Sequence, residues 1–260
     1  MMDTIEQLKK IALEAGKIIR DGYHAAKEIT YKGTVDLVTQ YDVAVEQFVL
    51  EKLMAAFPEH TLVGEESHEG SYHYDKVIYI DPIDGTTNFV HGFPHLALSI
   101  GVWEQGVPVM AVVYNPILEE MFWAVRGEGA YLGEKRLSVS RQHLLQQSLI
   151  GTGFPYAKVD AGIEYRWVID CLSNLLPHIR DIRRLGAAAV DLCYLAEGRI
   201  DAFYEIDLKP WDVAAGILIL LEAGGVVSDV LGEGYGFDSK SIVASNGRIH
   251  GELLERLVAI

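Results

Sequence analysis

The chain has 260 residues, half of them hydrophobic, with 22 Lys and Arg against 37 Asp and Glu, a formal net charge of −15. So much apolar content supplies a sizeable core and excludes a disordered chain, while two cysteines exclude a disulfide-stapled miniature. The acidic balance excludes broad electrostatic attachment to nucleic acid or to an anionic membrane surface, because both need clustered Lys and Arg; neither is an expected partner.

The opening stretch MMDTIEQLKKIALEAGKIIRDGY lacks the basic leader and apolar run of a signal peptide, and no apolar span reaches the ~18 residues of a membrane helix. A cytoplasmic location is expected. Ile5, Leu8, Ala12, Ala15 and Ile19 recur at helical spacing, with Asp3 or Thr4 to cap, and predict an amphipathic helix over 4–27. A second helix begins near Asp42 with Thr39 as N-cap, carries Val45, Val49, Leu53 and Phe57 on one face, and stops at Pro58. HTLVGEES and KVIYIDPID then read as short strands ending in acids. LALSIGVWEQGVPVMAVVYNPILEEMFWAVRGEGAYLG alternates as an antiparallel meander, with turns at Gln105-Gly106, Asn115-Pro116 and Arg126-Gly127. SLIGTGF reads as a strand, 161–176 and 186–197 as helices, IDAFYEI as a strand, and Asp212 to Ala223 as a helix ended by Gly224-Gly225. GVVSDV and SIVASN follow as strands. Cys171 and Cys193 fall in apolar helical contexts and read as buried free thiols. Helices and strands are mixed without strict alternation, which indicates a layered α+β fold, and no repeat or linker divides 1–260 into more than one domain.

The stretch DPIDGTTNF (81–89) places Asp81 and Asp84 three residues apart, with Pro82 biasing Asp81 to the extended end of a strand. Two carboxylates so close repel unless a cation lies between them or one is protonated, and their oxygens suit a hard divalent ion such as Mg²⁺. Locally a metal-free structural turn stands equally open. Gly85, Thr86 and Thr87 open a helical or turn segment whose first N–H groups favour an anion such as phosphate, although Gly-Thr-Thr also caps ordinary helices. Glu65 and Glu66 end a hydrophobic strand. Asp212 enters an apolar helix, where a plain N-cap is the simpler local reading. Spacing does not show that these regions meet. No HxH, HExxH, GxSxG or GxxxxGK[ST] pattern occurs, which removes zinc-hydrolase, serine-hydrolase and P-loop signatures. GEGYGF (232–237) reads as a turn. Lys9-Lys10 and Arg183-Arg184 read as solvated or ion-paired, though either arginine, next to LGAAAVD, can face a phosphorylated substrate.

GEES (64–67), DPIDGTTNFVHGFP (81–94) and WDVAAG (211–216), in this order, resemble the inositol monophosphatase family of metal-dependent, lithium-sensitive phosphatases, in a bacterial member. DLVTQYD (36–42), NPILEEMFWAVRGEGAYLG (115–133), RLGAAAVDLCYLAEGRIDAFYE (184–205) and EAGG (222–225) extend the resemblance along nearly the whole chain. It implies the layered αβαβα sandwich, a homodimer and two or three Mg²⁺ ions. It also implies a set of metal ligands: Glu65, Asp81 as the carboxylate bridging two metals, the carbonyl of Ile83, Asp84 and Asp212. Gly85 and Thr86 then bind phosphate, Thr86 and Asp42 form the pair that orients and deprotonates water, and Thr86, Asp42 and Glu65 make up the catalytic set, with Glu66 in the outer shell. Glu205 is implied to bind inositol hydroxyls, with Gly186, Ala187 and Ala188 alongside the ring. The implied activity is Mg²⁺-dependent hydrolysis of inositol 1-phosphate or another small polyol or sugar phosphate. Relatives with similar metal motifs act on fructose 1,6-bisphosphate, NADP(H) or histidinol phosphate. A reading of another class is a regulatory protein that binds RNA polymerase or another protein. The segment YKGTVDLVT (31–39) departs in length from some animal relatives.

Overall fold

A computed structural model describes residues 2–31, 37–155 and 161–260, so most of the length-variant segment 31–39 lies outside the described residues. The first helix, α1 (Met2–Tyr23), buries Ile5, Leu8, Ala12, Ala15 and Ile19 as one stripe. It stops four residues short of the expected end, where the Lys27 ammonium turns back to donate to the Tyr23 carbonyl at 3.0 Å. Strands β1 (Ile29–Tyr31) and β2 (Leu37–Thr39) pair antiparallel and lead into α2 (Gln40–Ala56). Thr39 caps α2: its Oγ1 accepts from the Tyr41 N–H at 3.1 Å, while the Asp42 carboxylate accepts from the Thr39 N–H at 2.8 Å. This reciprocal box starts the helix two residues before Asp42.

A seven-stranded sheet follows in the order β3 (Thr61–Gly64), β4 (Lys76–Asp84), β5 (Ala97–Glu104), β6 (Val107–Asn115), β7 (Glu120–Val125), β8 (Gly129–Leu132), β9 (Lys135–Arg136). β3 and β4 are parallel, and the rest form the antiparallel meander that the alternation predicts. Between β4 and β5 lies α3 (Thr86–His91). A second sheet is built from β10 (Leu149–Thr152), β11 (Asp181–Arg183), β12 (Ala202–Ile206), β13 (Val226–Ser228) and β14 (Ser241–Ser245), ordered β11-β10-β12-β14-β13. Helices α4 (Ile163–Leu175), α5 (Ala188–Glu197), α6 (Pro210–Glu222) and α7 (His250–Leu254) complete the chain. Strand β11 and helix α7 have no counterpart in the expected elements. GEGYGF is a turn region, touching a neighbour through the isolated bridge Ser228↔Gly234.

Period-two alternation assigns the faces of the first sheet. Ile78, Ile80, Ile100, Val102 and Val112 pack with Ile5, Leu8, Val45 and Val49 of α1 and α2. On the opposite face, Ala111, Val113 and Phe122 share a core with α5, α6 and Phe203 and Ile242 of the second sheet. The far side of the second sheet meets Trp167, Val168 and Cys171 of α4 and Leu253 of α7. The layers therefore run α1/α2, sheet, α5/α6, sheet, α4/α7, an α+β αβαβα sandwich. Helix α6 lies between the sheets and is apolar nearly all round, as a helix covered on both sides must be. Cys171 and Cys193 are free, buried thiols, and burial pushes the Cys171 thiol up to about 11.

Candidate metal and phosphate site

The site is built where β4 loses its regular pairing. Ile80 stands opposite Ile100 and Asp81 opposite Ser99, but Asp84 stands opposite Ala97, so the ladder slips across Pro82 and Ile83. Proline offers no N–H to a ladder, and such a bulge re-aims the residues around it. Asp81 shares the parity of Val77 and Tyr79, which pack with Trp211 and Ala214 of α6. This places the acidic end of β4 on the α6 side.

The parallel pairing of β3 with β4 sets Gly64 beside Ile80, and the next N–H, of Glu65, donates to the Ile80 carbonyl at 3.1 Å. Glu65 and Asp81 are brought together by this register alone. Asp81 is 2 % and Asp84 7 % exposed. Burial pushes the Asp81 carboxyl well above the ordinary carboxylate range, and the charges of Glu65, Asp84 and Asp212 push it further. Burial likewise raises Asp84, with Asp212 the next contributor. Four carboxylates from three distant motifs therefore act on one another. Asp84 Oδ2 also accepts from the Ala189 N–H in the first turn of α5 at 2.7 Å, a cap supplied from 105 residues away. The simple local reading of Asp212 as N-cap is corrected: α6 starts at Pro210, and Asp212 is the third helical residue, its Oδ2 accepting from the Lys209 N–H at 2.7 Å.

Glu66 is positioned by a residue that sequence reading misses. The buried Glu46 of α2 accepts from the Glu66 N–H at 2.8 Å, and a Cβ on Gly64 would lie 2.5 Å from the same Glu46 oxygen. Its signal was readable: Asp42 and Glu46 stand four apart on the buried side of α2, where apolar residues belong. Asp42 in turn accepts from Thr86 Oγ1 at 3.0 Å through Oδ1, while its Oδ2 caps α2. Burial raises the Asp42 carboxyl, against the lowering effect of its bonds to Thr39 and Thr86. Thr86 Oγ1 also lies 3.2 Å from the Ile83 carbonyl.

Gly85 has φ +91°, and a Cβ there would meet the His95 carbonyl at 3.0 Å and the Gly186 carbonyl at 3.2 Å. Both its backbone and its surroundings demand glycine. Asn88, not singled out by the sequence, ties the same two loops together, its Nδ2 donating to the His95 carbonyl at 2.6 Å and the Leu185 carbonyl at 2.8 Å. Behind them His95 Nε2 and Asp191 Oδ1 stand 3.0 Å apart, both buried.

Two adjoining clefts open here. One, about 220 Å³, is lined by Glu65, Asp81 and Ile83 among others; the second, about 300 Å³, by Arg184, Gly186, Ala187 and Ala188, and they share Asp84, Gly85, Thr86, Phe154, Glu205 and Asp212. Glu205 is buried and its carboxyl raised by that burial. Its carboxylate rests on Gly153, where a Cβ would come within 1.8 Å of Oε1, a third residue not foreseen from sequence. Of the expected site residues, Glu65, Asp81, Ile83, Asp84, Gly85, Thr86, Gly186, Ala187, Ala188, Glu205 and Asp212 line these two clefts; Asp42 reaches them through its bond from Thr86, and Glu66 lines neither.

The donor chemistry fits divalent magnesium: hard oxygen donors only, two of the carboxylates deeply buried and each made costly to ionise by its neighbours. The chain supplies donors rather than a finished cage, since among the described residues no three such groups stand at coordination spacing.

The chain matches the family model for the inositol monophosphatase family over residues 1–260. It is similar to inositol monophosphatase 1 of Solanum lycopersicum, 40 % identical over 263 residues, covering 98 % of this chain and 96 % of that one. It is similar to the Nus factor SuhB of Pasteurella multocida, 40 % identical over 252 residues, covering 95 % and 93 %. Among solved structures, the extragenic suppressor protein SuhB of Bartonella henselae superposes with a TM-score of 0.90 at 37 % identity over 96 % of each chain. These matches give no support to the expected homodimer, nor to the expectation that nucleic acid is not a partner. Sequence and fold agree over almost the full length, and the chain belongs to the inositol monophosphatase family.

Proposed function

We propose that this protein is a Mg²⁺-dependent phosphomonoesterase that hydrolyses inositol 1-phosphate, or a closely related small polyol phosphate, to the alcohol and inorganic phosphate. The observation that carries the reading is the convergence of Glu65, Asp81, Asp84 and Asp212 beside the Gly85-Thr86 loop, with the Thr86 hydroxyl directed at the buried Asp42. Glu65, Asp81, the Ile83 carbonyl, Asp84 and Asp212 would hold the metal. Bound Mg²⁺ supplies charge neutralisation for the phosphate and acidification of a water.

The remaining chemistry belongs to the chain. Thr86 gives its proton in a hydrogen bond to Asp42, which leaves an oxygen lone pair to accept a bond from the attacking water and hold it in line with phosphorus. As the water oxygen bonds to phosphorus and the ester P–O bond breaks, the water gives a proton to Thr86 and Thr86 passes its own to Asp42, whose carboxyl is raised by burial, while the departing alkoxide takes a proton from solvent water to become the alcohol. The N–H groups at Gly85 and Thr86 face the phosphate, and Glu205 accepts from hydroxyls of the alcohol. Most of the rate enhancement comes from positioning and charge, since phosphoryl transfer offers little covalent work to the protein.

The test is phosphate release from inositol 1-phosphate, fructose 1,6-bisphosphate, NADP⁺ and histidinol phosphate, compared as kcat/KM with Mg²⁺ and with EDTA. Turnover that EDTA abolishes, highest on inositol 1-phosphate, is the expected result. A second reading, a regulatory protein that binds RNA polymerase or another protein, is favoured by the relative named a Nus factor. No turnover on any substrate together with tight binding of RNA polymerase would select it.

A further inference from the structure

A cleft of about 640 Å³ shares no lining residue with the two acidic ones. The GEGYGF turn, to which the hydrolysis gives no role, supplies Tyr235 and Phe237 to its wall; Tyr74, Tyr79 of β4 and Trp103 of β5 supply the rest of the aromatic lining. Tyr79 and Trp103 spend their polar atoms inside the fold, the Tyr79 hydroxyl donating to the Tyr72 carbonyl at 2.6 Å and Trp103 Nε1 to the Ala214 carbonyl at 3.1 Å. What these two offer the cleft is therefore ring surface. Gly106 and Gly236 complete the wall without side chains, and a Cβ at either would meet nothing within 4 Å, so the way in is open. The volume is that of a small-molecule site.

Ring orientation and charge select the class of ligand. Trp103 and Phe237 are inclined at 52°, Tyr79 and Phe237 at 66°, and Tyr79 and Trp103 at 81°. Rings set so steeply to one another do not sandwich a planar base, but they surround a compact group with π-electron density from several sides. The ionisable groups at the rim are Asp75, Asp238 and His73, with His73 held against Asp238 at 3.1 Å, and no Lys or Arg lines the cleft among the described residues. Asp75 shares the parity of Val77 and Tyr79, whereas Lys76 falls on the opposite side of the alternation and pairs with Glu59. The rim is left acidic.

We propose that this cleft binds a small organic cation through an alkylated ammonium group, whose apolar substituents fit against the rings and whose charge is attracted by the rings and by Asp75 and Asp238. A bare divalent metal ion needs a shell of oxygen ligands, which rings do not provide. The proposal does not rest on the phosphatase reading. The competing account is that the rings only pack the GEGYGF turn onto β4 and β5. A packed wall binds nothing, and a merely apolar hole takes an uncharged molecule of the same shape equally well.

The experiment titrates the full-length protein, in saturating Mg²⁺, with choline and with its uncharged isostere 3,3-dimethylbutanol, read by calorimetry and by the proton resonance of the ligand methyl groups. Choline should bind about tenfold or more tightly than the isostere, with its methyl resonance moved upfield by the ring currents. Phe237→Leu should weaken choline about tenfold. Asp75→Lys, a change at an exposed position outside the ring contacts, should weaken it about threefold or more at low salt and less at high salt, which keeps the test valid if the loss of a ring disturbs the turn. Asp84→Asn should leave choline affinity within about twofold, since Asp84 lines only the acidic clefts. Equal affinity for the two molecules, or no binding of choline at about 10 mM, would overturn the proposal. Loss of choline binding in Asp84→Asn but not in Phe237→Leu would overturn it too, by moving the cation to the acidic site.

Discussion

Strand β4 borders two clefts of opposite character. At its C-terminal end Asp81 and Asp84 enter a cleft of about 220 Å³, while Val77 and Tyr79 nearer its start line one of about 640 Å³ with Trp103, Tyr235 and Phe237. The larger cleft is walled by tilted and edge-on rings, Trp103 to Phe237 at 4.6 Å and Tyr79 to Phe237 at 4.9 Å, with a surface pair between His73 and Asp238 at its rim. It buries no cluster of like charges. The smaller one does, and that costs the fold stability that a ligand must return. Buried like charges, rather than cavity size, single out the candidate site.

The comparison breaks most visibly at Asp84. Asp84→Asn preserves shape and the acceptor for the Ala189 N–H but removes the charge, so kcat/KM should fall by about a thousandfold or more while circular dichroism stays native. Undiminished turnover would sink the metal assignment. A smaller effect is expected on the substrate side. Gly153→Ala puts a methyl into the Glu205 carboxylate and displaces it, so KM for inositol 1-phosphate should rise about tenfold with a lesser change in kcat. An unchanged KM would remove Glu205 from substrate binding.

The acidic cleft should also reveal itself in stability. Asp81 and Asp84 stay protonated to higher pH in the folded chain than in the unfolded one. The folded state therefore binds more protons between the ordinary carboxylate range and the raised values. The stability this confers is complete below that ordinary range and is lost as pH rises through the raised values. In EDTA the melting temperature should fall as pH rises from the ordinary carboxylate range through the raised values, and saturating Mg²⁺ should restore about 5–10 °C at the upper end and little at the lower. Parallel curves with and without Mg²⁺ would contradict the coupling of these carboxyls to metal.

How much of this was readable differs by kind of signal. Local chemistry was: the Thr39 cap, the stripe from Ile5 to Ile19, the meander, and the tension within DPID all follow from neighbours in sequence. Partners across the chain were not. Period two says that Asp81 and Tyr79 share a face, but not that β3 lies parallel beside it or that α6 covers it. Asp84 capping α5 and Glu46 holding the Glu66 N–H span 105 and 20 residues, and no local pattern encodes them. Strand β11, only Asp181-Ile182-Arg183 at a sheet edge, carries too little alternation to be seen. Asp212 misled for a related reason: Pro210 can occupy the first turn of a helix, so the helix began earlier than the acid that resembled its cap.

The mildest change probes the aromatic cleft. Trp103 Nε1 donates to the Ala214 carbonyl at 3.1 Å, and Ala214 lies two residues beyond Asp212 on α6, so the two clefts share a helix. Trp103→Phe removes that bond and some buried ring area, at a cost of about 1–2 kcal/mol in unfolding free energy. The Lys209 N–H to Asp212 bond, which fixes the acid, lies in the first turn of α6 and does not pass through Trp103. Activity should therefore stay within about twofold while the melting temperature drops by about 2–6 °C. A loss of activity beyond about tenfold without loss of fold would show that α6 carries a perturbation from the aromatic cleft to the acidic one, and the separation between the two regions would fail.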